Sequence, residues 1–338
     1  NKIEDLDIFL MFENYNFLHT PYVELFWATR NKKTSYNYQN LDGEEYDNVP
    51  VENNLLFNLF SLDAGTKLRF LSKSKLMPGK HEFKFNYQFN NYRQKIEQTI
   101  TQFNQLDEVE FYDNYDFSFD YYRSHIVSFQ YSYKKQKNHF LKHMLPKNGY
   151  SIDFKFSYEL NDFLDGFGVN EDYGTFGSIL APNNTMRVLL DIDKHWSLSS
   201  TSVSSNTSIG LISNENIDDF FYFFGGGMPG LKAYTYYDDS LKGTRKIIQT
   251  FYIRNPLFKE QNFRVLSSYI QHLTIGFIFQ LGNVFNGDEY DGFKFSRGLE
   301  LRLFGYNFYS YPLAINYEYH KSDDNIDGKH YFKLLFDF

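Results

Sequence analysis

Hydrophobic and polar residues alternate with a period of two in block after block of this chain. Phe83, Phe85, Tyr87 and Phe89 alternate with Lys84, Asn86, Gln88 and Asn90. The same pattern runs through Tyr115–Tyr121, Val127–Tyr133 and Ile152–Tyr158. Met186, Val188, Leu190 and Ile192 share one parity opposite Arg187, Asp191 and Asp193. Near the end, Leu299, Leu301 and Leu303 flank Glu300 and Arg302, and Leu313, Ile315, Tyr317 and Tyr319 flank Asn316, Glu318 and His320. Successive side chains of a strand point to opposite faces, so each block predicts a strand with one apolar and one polar face.

A soluble β-sandwich would show this alternation too. The blocks are too numerous and too alike in length for one sandwich core. Where the alternation is clean they run about 9 to 11 residues, the length of a tilted strand crossing a bilayer. The pattern therefore predicts an all-β, transmembrane antiparallel β-barrel. Sixteen strands would leave about 21 residues of the 338 for each strand and its connection, an ordinary size for such barrels. Nothing is left over for a second domain, so 1–338 reads as one barrel domain. The polar stretches Arg30–Pro50, Lys134–Gly149, Asn161–Asn184 and Asn286–Phe295 read as loops. Lys134–Lys147 is basic enough to touch lipid phosphates.

Composition changes this picture only in part. A mean hydropathy of -0.51, with no apolar run long enough for a spanning helix, would suggest a water-soluble chain. Yet 38 Phe, 29 Tyr and 2 Trp make the chain 20% aromatic. A barrel places aromatics in interfacial girdles and turns its polar residues to the lumen, which keeps its average hydropathy low. The net charge of -8 disfavours a nucleic-acid surface. Cysteine is absent, in keeping with an oxidising compartment. The opening at Asn1 carries no leader pattern and reads as a processed or truncated product, with any periplasmic domain upstream.

The final residues sharpen the membrane reading. Phe332, Leu334, Phe336 and Phe338 share one parity, with Lys333 and Asp337 on the other. A strand with one apolar face that closes on a terminal aromatic is how outer-membrane barrels end.

One segment carries more than periodicity. Gly225–Tyr234 reads GGGMPGLKAY and is followed by FYIRNPLF (Phe251–Phe258) and GFIFQLGNVF (Gly276–Phe285). From Phe220 to Phe338 this order resembles the C-terminal barrel of the BamA/TamA-type bacterial surface-antigen superfamily, in the subgroup that follows a TolB-like propeller. The resemblance implies a long loop folded into the lumen, tipped by an arginine that pairs with acidic residues on the barrel wall. Residues Gly225, Gly226, Gly227 and Gly230 match the glycine-rich approach, and Leu231, Lys232, Ala233 and Tyr234 match the tip. Here Lys232 stands for the arginine and Ala233 for a glycine. The wall acids would fall at Tyr252 and Gln280, both neutral. A buried ammonium without a carboxylate is costly, so Lys232 is expected to reach Asp238, Asp239, Glu300 or Glu318.

No nucleophile elbow, metal-ligand pair or phosphate loop is present, so neither a catalytic residue, nor a metal, nor a cofactor is expected. The resemblance implies a bacterial outer-membrane protein that assists insertion or translocation of other outer-membrane proteins. Its partners would be outer-membrane lipid and other outer-membrane or periplasmic proteins. A seam between the last strand, Phe332–Phe338, and a first strand near Tyr22–Thr29 would offer an edge to a client strand. The alternative is a barrel that only anchors a larger complex.

Overall fold

The computed structural model describes residues 5–38, 49–74, 77–103, 109–136, 145–146, 148–170, 175–259, 261, 263–265, 268–287, 289–307, 312–323 and 327–334. The protein is all-β. Its strands are β1 (Leu6–Glu13), β2 (His19–Tyr38), β3 (Val49–Ser72), β4 (Gly79–Phe103), β5 (Val109–Gln136), β6 (Gly149–Asn170), β7 (Thr175–Pro182), β8 (Thr185–Leu198) and β9 (Thr201–Ile212). After these come β10 (Phe223–Phe224), β11 (Lys242–Gly243), β12 (Arg245–Phe258), β13 (Phe263–Val265), β14 (Ser268–Phe285), β15 (Lys294–Asn307), β16 (Pro312–Lys321) and β17 (Lys329–Leu334).

Fifteen of these strands form one antiparallel sheet, and β10 and β11 form a small sheet of their own. In the large sheet the order is β1-β2-β3-β4-β5-β6-β8-β9-β12-β14-β15-β16-β17, with β7 also on β6 and β13 also on β14. Fewer strands thus lie side by side than the sixteen expected. Among the described residues no ladder joins β1 to β17, so the sheet has two ends.

Four expectations are corrected. Strands β2 to β6 run 20 to 28 residues, well beyond the expected 9 to 11. The blocks Tyr115–Tyr121 and Val127–Tyr133 belong to the single strand β5, whose backbone runs unbroken through the polar stretch Arg123–His125 between them. Asn161–Asn184, read as a loop, is instead mostly the β6–β7 hairpin, in register from Asp162↔Pro182 to Asn170↔Thr175. The first strand is not Tyr22–Thr29, which lies in β2 and pairs with Leu6–Glu13 of β1. In β1 the apolar run Ile8–Phe12 occupies both faces, so it has no period-two signature, and all five residues are exposed. Of the basic stretch, 137–144 and Lys147 lie outside the described residues, as do Phe336 and Phe338.

The chain divides into two compact units. The first comprises Asn1–Lys67, Phe85–Ser128 and Tyr158–Asn184. Its buried face is polar: the Tyr22 hydroxyl and the Asn86 amide both donate to Asp63, each at 2.9 Å, and Ser128 bonds Asn86 in turn. Lys67 pairs with Glu13 and lies 4.3 Å from the Tyr22 ring centroid. The second unit comprises Leu68–Lys84, Phe129–Ser157 and Thr185–Phe338. There too the parity is inverted relative to a water-soluble protein. Ile253, Phe277, Phe279, Leu299 and Leu301 are exposed, while Thr250, Arg254, Gln280, Glu300 and Glu318 on the alternate positions are buried.

Candidate functional site: a glycine-rich loop tied to four strands

Between β9 and β12 the chain forms a compact loop on the polar face of the second unit. It is framed by β10 pairing with β11, and two 3-10 turns flank it. The first, Asp219–Phe221, is capped by Asp218, and the second, Asp239–Leu241, by Asp238, each carboxylate accepting a backbone N–H. Asp239 pairs with Lys242 at 2.9 Å and Asp219 with the same lysine at 3.4 Å, which together hold its ammonium pKa above the ordinary lysine value. Asp238 and Asp239 are thereby engaged within the loop base and do not reach Lys232.

The loop tip folds upon itself. The Leu231 N–H donates to the Gly225 carbonyl at 2.7 Å, Gly227 to Tyr234 at 3.1 Å, and Tyr234 to Leu231 at 3.1 Å. Gly227 sits at φ +71°, a left-handed conformation that favours glycine. A β-carbon on Gly230 would collide with the Gly225 carbonyl, backbone that has nowhere to go. Gly230→Ala should therefore cost about 1–3 kcal/mol by overpacking and speed limited proteolysis between β9 and β12. An unchanged digestion pattern would show that the tip has slack the geometry does not suggest.

The tip is buried: Leu231, Ala233 and Tyr234 are all at most 5% exposed, and Lys232 is 4% exposed. Four strands hold Lys232. Its N–H donates to Gln280 Oε1 of β14 at 2.9 Å, and Gln280 Nε2 donates back to the Gly230 carbonyl at 2.8 Å. Its carbonyl accepts from the Tyr331 hydroxyl of β17 at 2.8 Å. Its ammonium pairs with Glu318 of β16 and lies 5.6 Å from the ring centroid of Tyr252 on β12. Gln280 also donates to Thr250 Oγ1 at 3.2 Å, so both of its N–H groups and its carbonyl oxygen are engaged.

Glu318 is shared. Its Oε1 accepts from Lys333 at 3.0 Å and Asn316 at 2.7 Å, and its Oε2 accepts from His320 Nε2 at 3.0 Å as well as from Lys232. Asn316 bridges at 3.2 Å to Glu300, which takes Arg254 at 2.7 Å and Arg302 at 2.6 Å. Arg254 also stacks on Tyr252, 4.3 Å from its centroid. The cluster thus sets four cations, Lys232, Lys333, Arg254 and Arg302, around two carboxylates. Glu300 serves the arginines and not Lys232.

Tyr252 and Gln280 therefore meet the loop, although neither supplies charge. Tyr331, Lys333, His320, Asn316, Arg254 and Arg302 were missed by the sequence reading. Their signal was parity alone: each lies on the polar face of its strand. Phe332 and Leu334 of β17 point the other way, 76% and 63% exposed. Among the described residues no group of three or more His, Cys, Asp and Glu is arranged to hold a metal ion.

Neither a scan of protein-family models nor a search of curated proteins returns a match for this chain.

Proposed function

We propose that the chain is an outer-membrane β-barrel of the BamA/TamA type, which assists the insertion or translocation of other outer-membrane proteins. In this reading the polar face lines a lumen and the apolar face meets lipid. The observation that carries it is the loop of Gly225–Tyr234, tied through Lys232 to β12, β14, β16 and β17. A loop re-entering on the polar face, with its basic tip residue on wall strands, is what the resemblance implies. The inverted parity supports the membrane environment, since a bilayer rewards exposed Phe and Leu that water would penalise.

One observation favours a second reading, a barrel that anchors a larger complex without inserting clients. Tyr331 and Lys333 bind the loop system to β17 itself. A terminal strand pinned in this way resists opening of a seam.

Depletion of the protein followed by quantitative proteomics of the outer-membrane fraction separates the two. Insertion activity predicts a broad fall in other barrel proteins. If those stay level while one defined set of partners disappears, the anchor reading replaces it.

A further inference from the structure

The register across the last strands places two cations side by side on the apolar face. Phe251 of β12 pairs with Phe279 of β14, Phe279 with Arg297 of β15, and Arg297 with Lys321 of β16. One row across four strands thus reads Phe251, Phe279, Arg297, Lys321. Two residues further along, the row reads Ile253, Phe277, Leu299, Tyr319, with no charge. Like charges directly opposite one another on adjacent strands destabilise a sheet. Asp323 approaches Arg297 at 3.2 Å, but the two side chains are 84% and 66% exposed, so the pair contributes little. Among the described residues Lys321 forms no ion pair.

A groove of about 390 Å³ lies at this level, lined by Phe251, Phe279 and Phe295 together with Arg297, Lys321 and Asp323. Its lining combines aromatic rings with one guanidinium and one ammonium group, and Gln280, Ser296 and Ser322 add neutral polar groups. An occupant that suits it carries a compact anion attached to a hydrocarbon chain. We propose that this groove binds an anionic membrane lipid, its headgroup phosphate bridging Arg297 and Lys321 and its acyl chain lying over Phe251, Phe279 and Phe277. The phosphate relieves the repulsion between the paired cations, and a guanidinium presents a fork suited to it. The inference rests on the membrane reading above, because the lipid must reach the apolar face.

The test uses the full chain purified in detergent and offered equal amounts of phosphatidylglycerol and phosphatidylcholine, with retained lipid read by native mass spectrometry. The wild type should retain phosphatidylglycerol with about tenfold preference, and Arg297→Gln/Lys321→Gln should bring the two lipids near parity, each basic residue near a membrane surface contributing comparably. Lys242→Gln, in the loop base, should keep the preference. No preference in the wild type, or the same preference in the double variant, overturns the site. A dimer mass in place of a lipid adduct also overturns it and assigns the face to a second copy of the chain. Failure of the membrane reading looks different: the chain would then stay soluble without detergent and take up neither lipid.

Discussion

Glu318→Gln should lower the stability of the protein by about 3–5 kcal/mol, the cost of stripping the carboxylate from buried ion pairs. Glu318 is the acceptor for Lys232, Lys333, His320 and Asn316, and its side chain is only 1% exposed. The amide keeps the shape and removes the charge, leaving two ammonium groups facing each other in a region where solvent is scarce. Lys232→Met should cost less, about 1–2 kcal/mol. It removes one cation from a cluster that holds more cations than carboxylates, and Glu318 retains three donors. The pair Glu318→Gln/Lys232→Met should recover part of what the single glutamine substitution loses, since one of the two stranded ammonium groups is gone. Equilibrium unfolding in urea from detergent micelles measures all three. Equal losses for Glu318→Gln and Lys232→Met would mean that the charge imbalance carries no weight and that only the contact between them matters.

The asymmetry also bears on how much of this site was legible in the sequence. Period-two alternation places a residue on a face, and in this region it did so correctly. Gln280, Glu300 and Glu318 are buried on the polar side, while Phe277, Phe279 and Leu299 are exposed on the other. Alternation says nothing about height along a strand. Whether an inward residue sits opposite the loop tip depends on the register between strands, and register follows from ladder pairing that the pattern does not encode. Tyr331 and Lys232 are 99 residues apart and meet only because β14, β15, β16 and β17 align as they do. The same gap explains the strand lengths. A strand such as β5 reads as two when a polar stretch such as Arg123–His125 interrupts the apolar rhythm, although the backbone runs on unbroken. In β1 the rhythm is absent because both faces are apolar.

Neutral residues at the wall positions had a second meaning that charge counting hides. Read as missing acids, Tyr252 and Gln280 leave Lys232 to find its carboxylate elsewhere. The structure uses Tyr252 as a ring face for two cations and Gln280 as a two-handed amide on the loop backbone. The basic tip residue then pairs with a carboxylate one strand pair further along the sheet, on β16.

Gln280→Met follows from this and should cost about 2–5 kcal/mol. Methionine nearly conserves volume, so packing changes little. What is lost is the partner of the Lys232 N–H and the partner of the Gly230 carbonyl, each left buried at about 1–3 kcal/mol. The loop tip should loosen as a unit, visible as faster amide exchange at Leu231, Lys232 and Ala233 and as an earlier urea midpoint. Gln280→Glu should be milder. It keeps the acceptor for the Lys232 N–H, and Thr250 can turn its hydroxyl to donate. The bond to the Gly230 carbonyl is lost and a carboxylate oxygen now faces that carbonyl, but the new negative charge offsets part of the cation excess around Glu300 and Glu318. The order wild type, glutamate, methionine in falling stability is therefore the signature of an amide that works through its backbone bonds. If the glutamate variant falls as far as the methionine variant, the donated bond to Gly230 holds the loop almost alone. If the methionine variant matches the wild type, Lys232 is anchored by Glu318 and Tyr331 without help from β14.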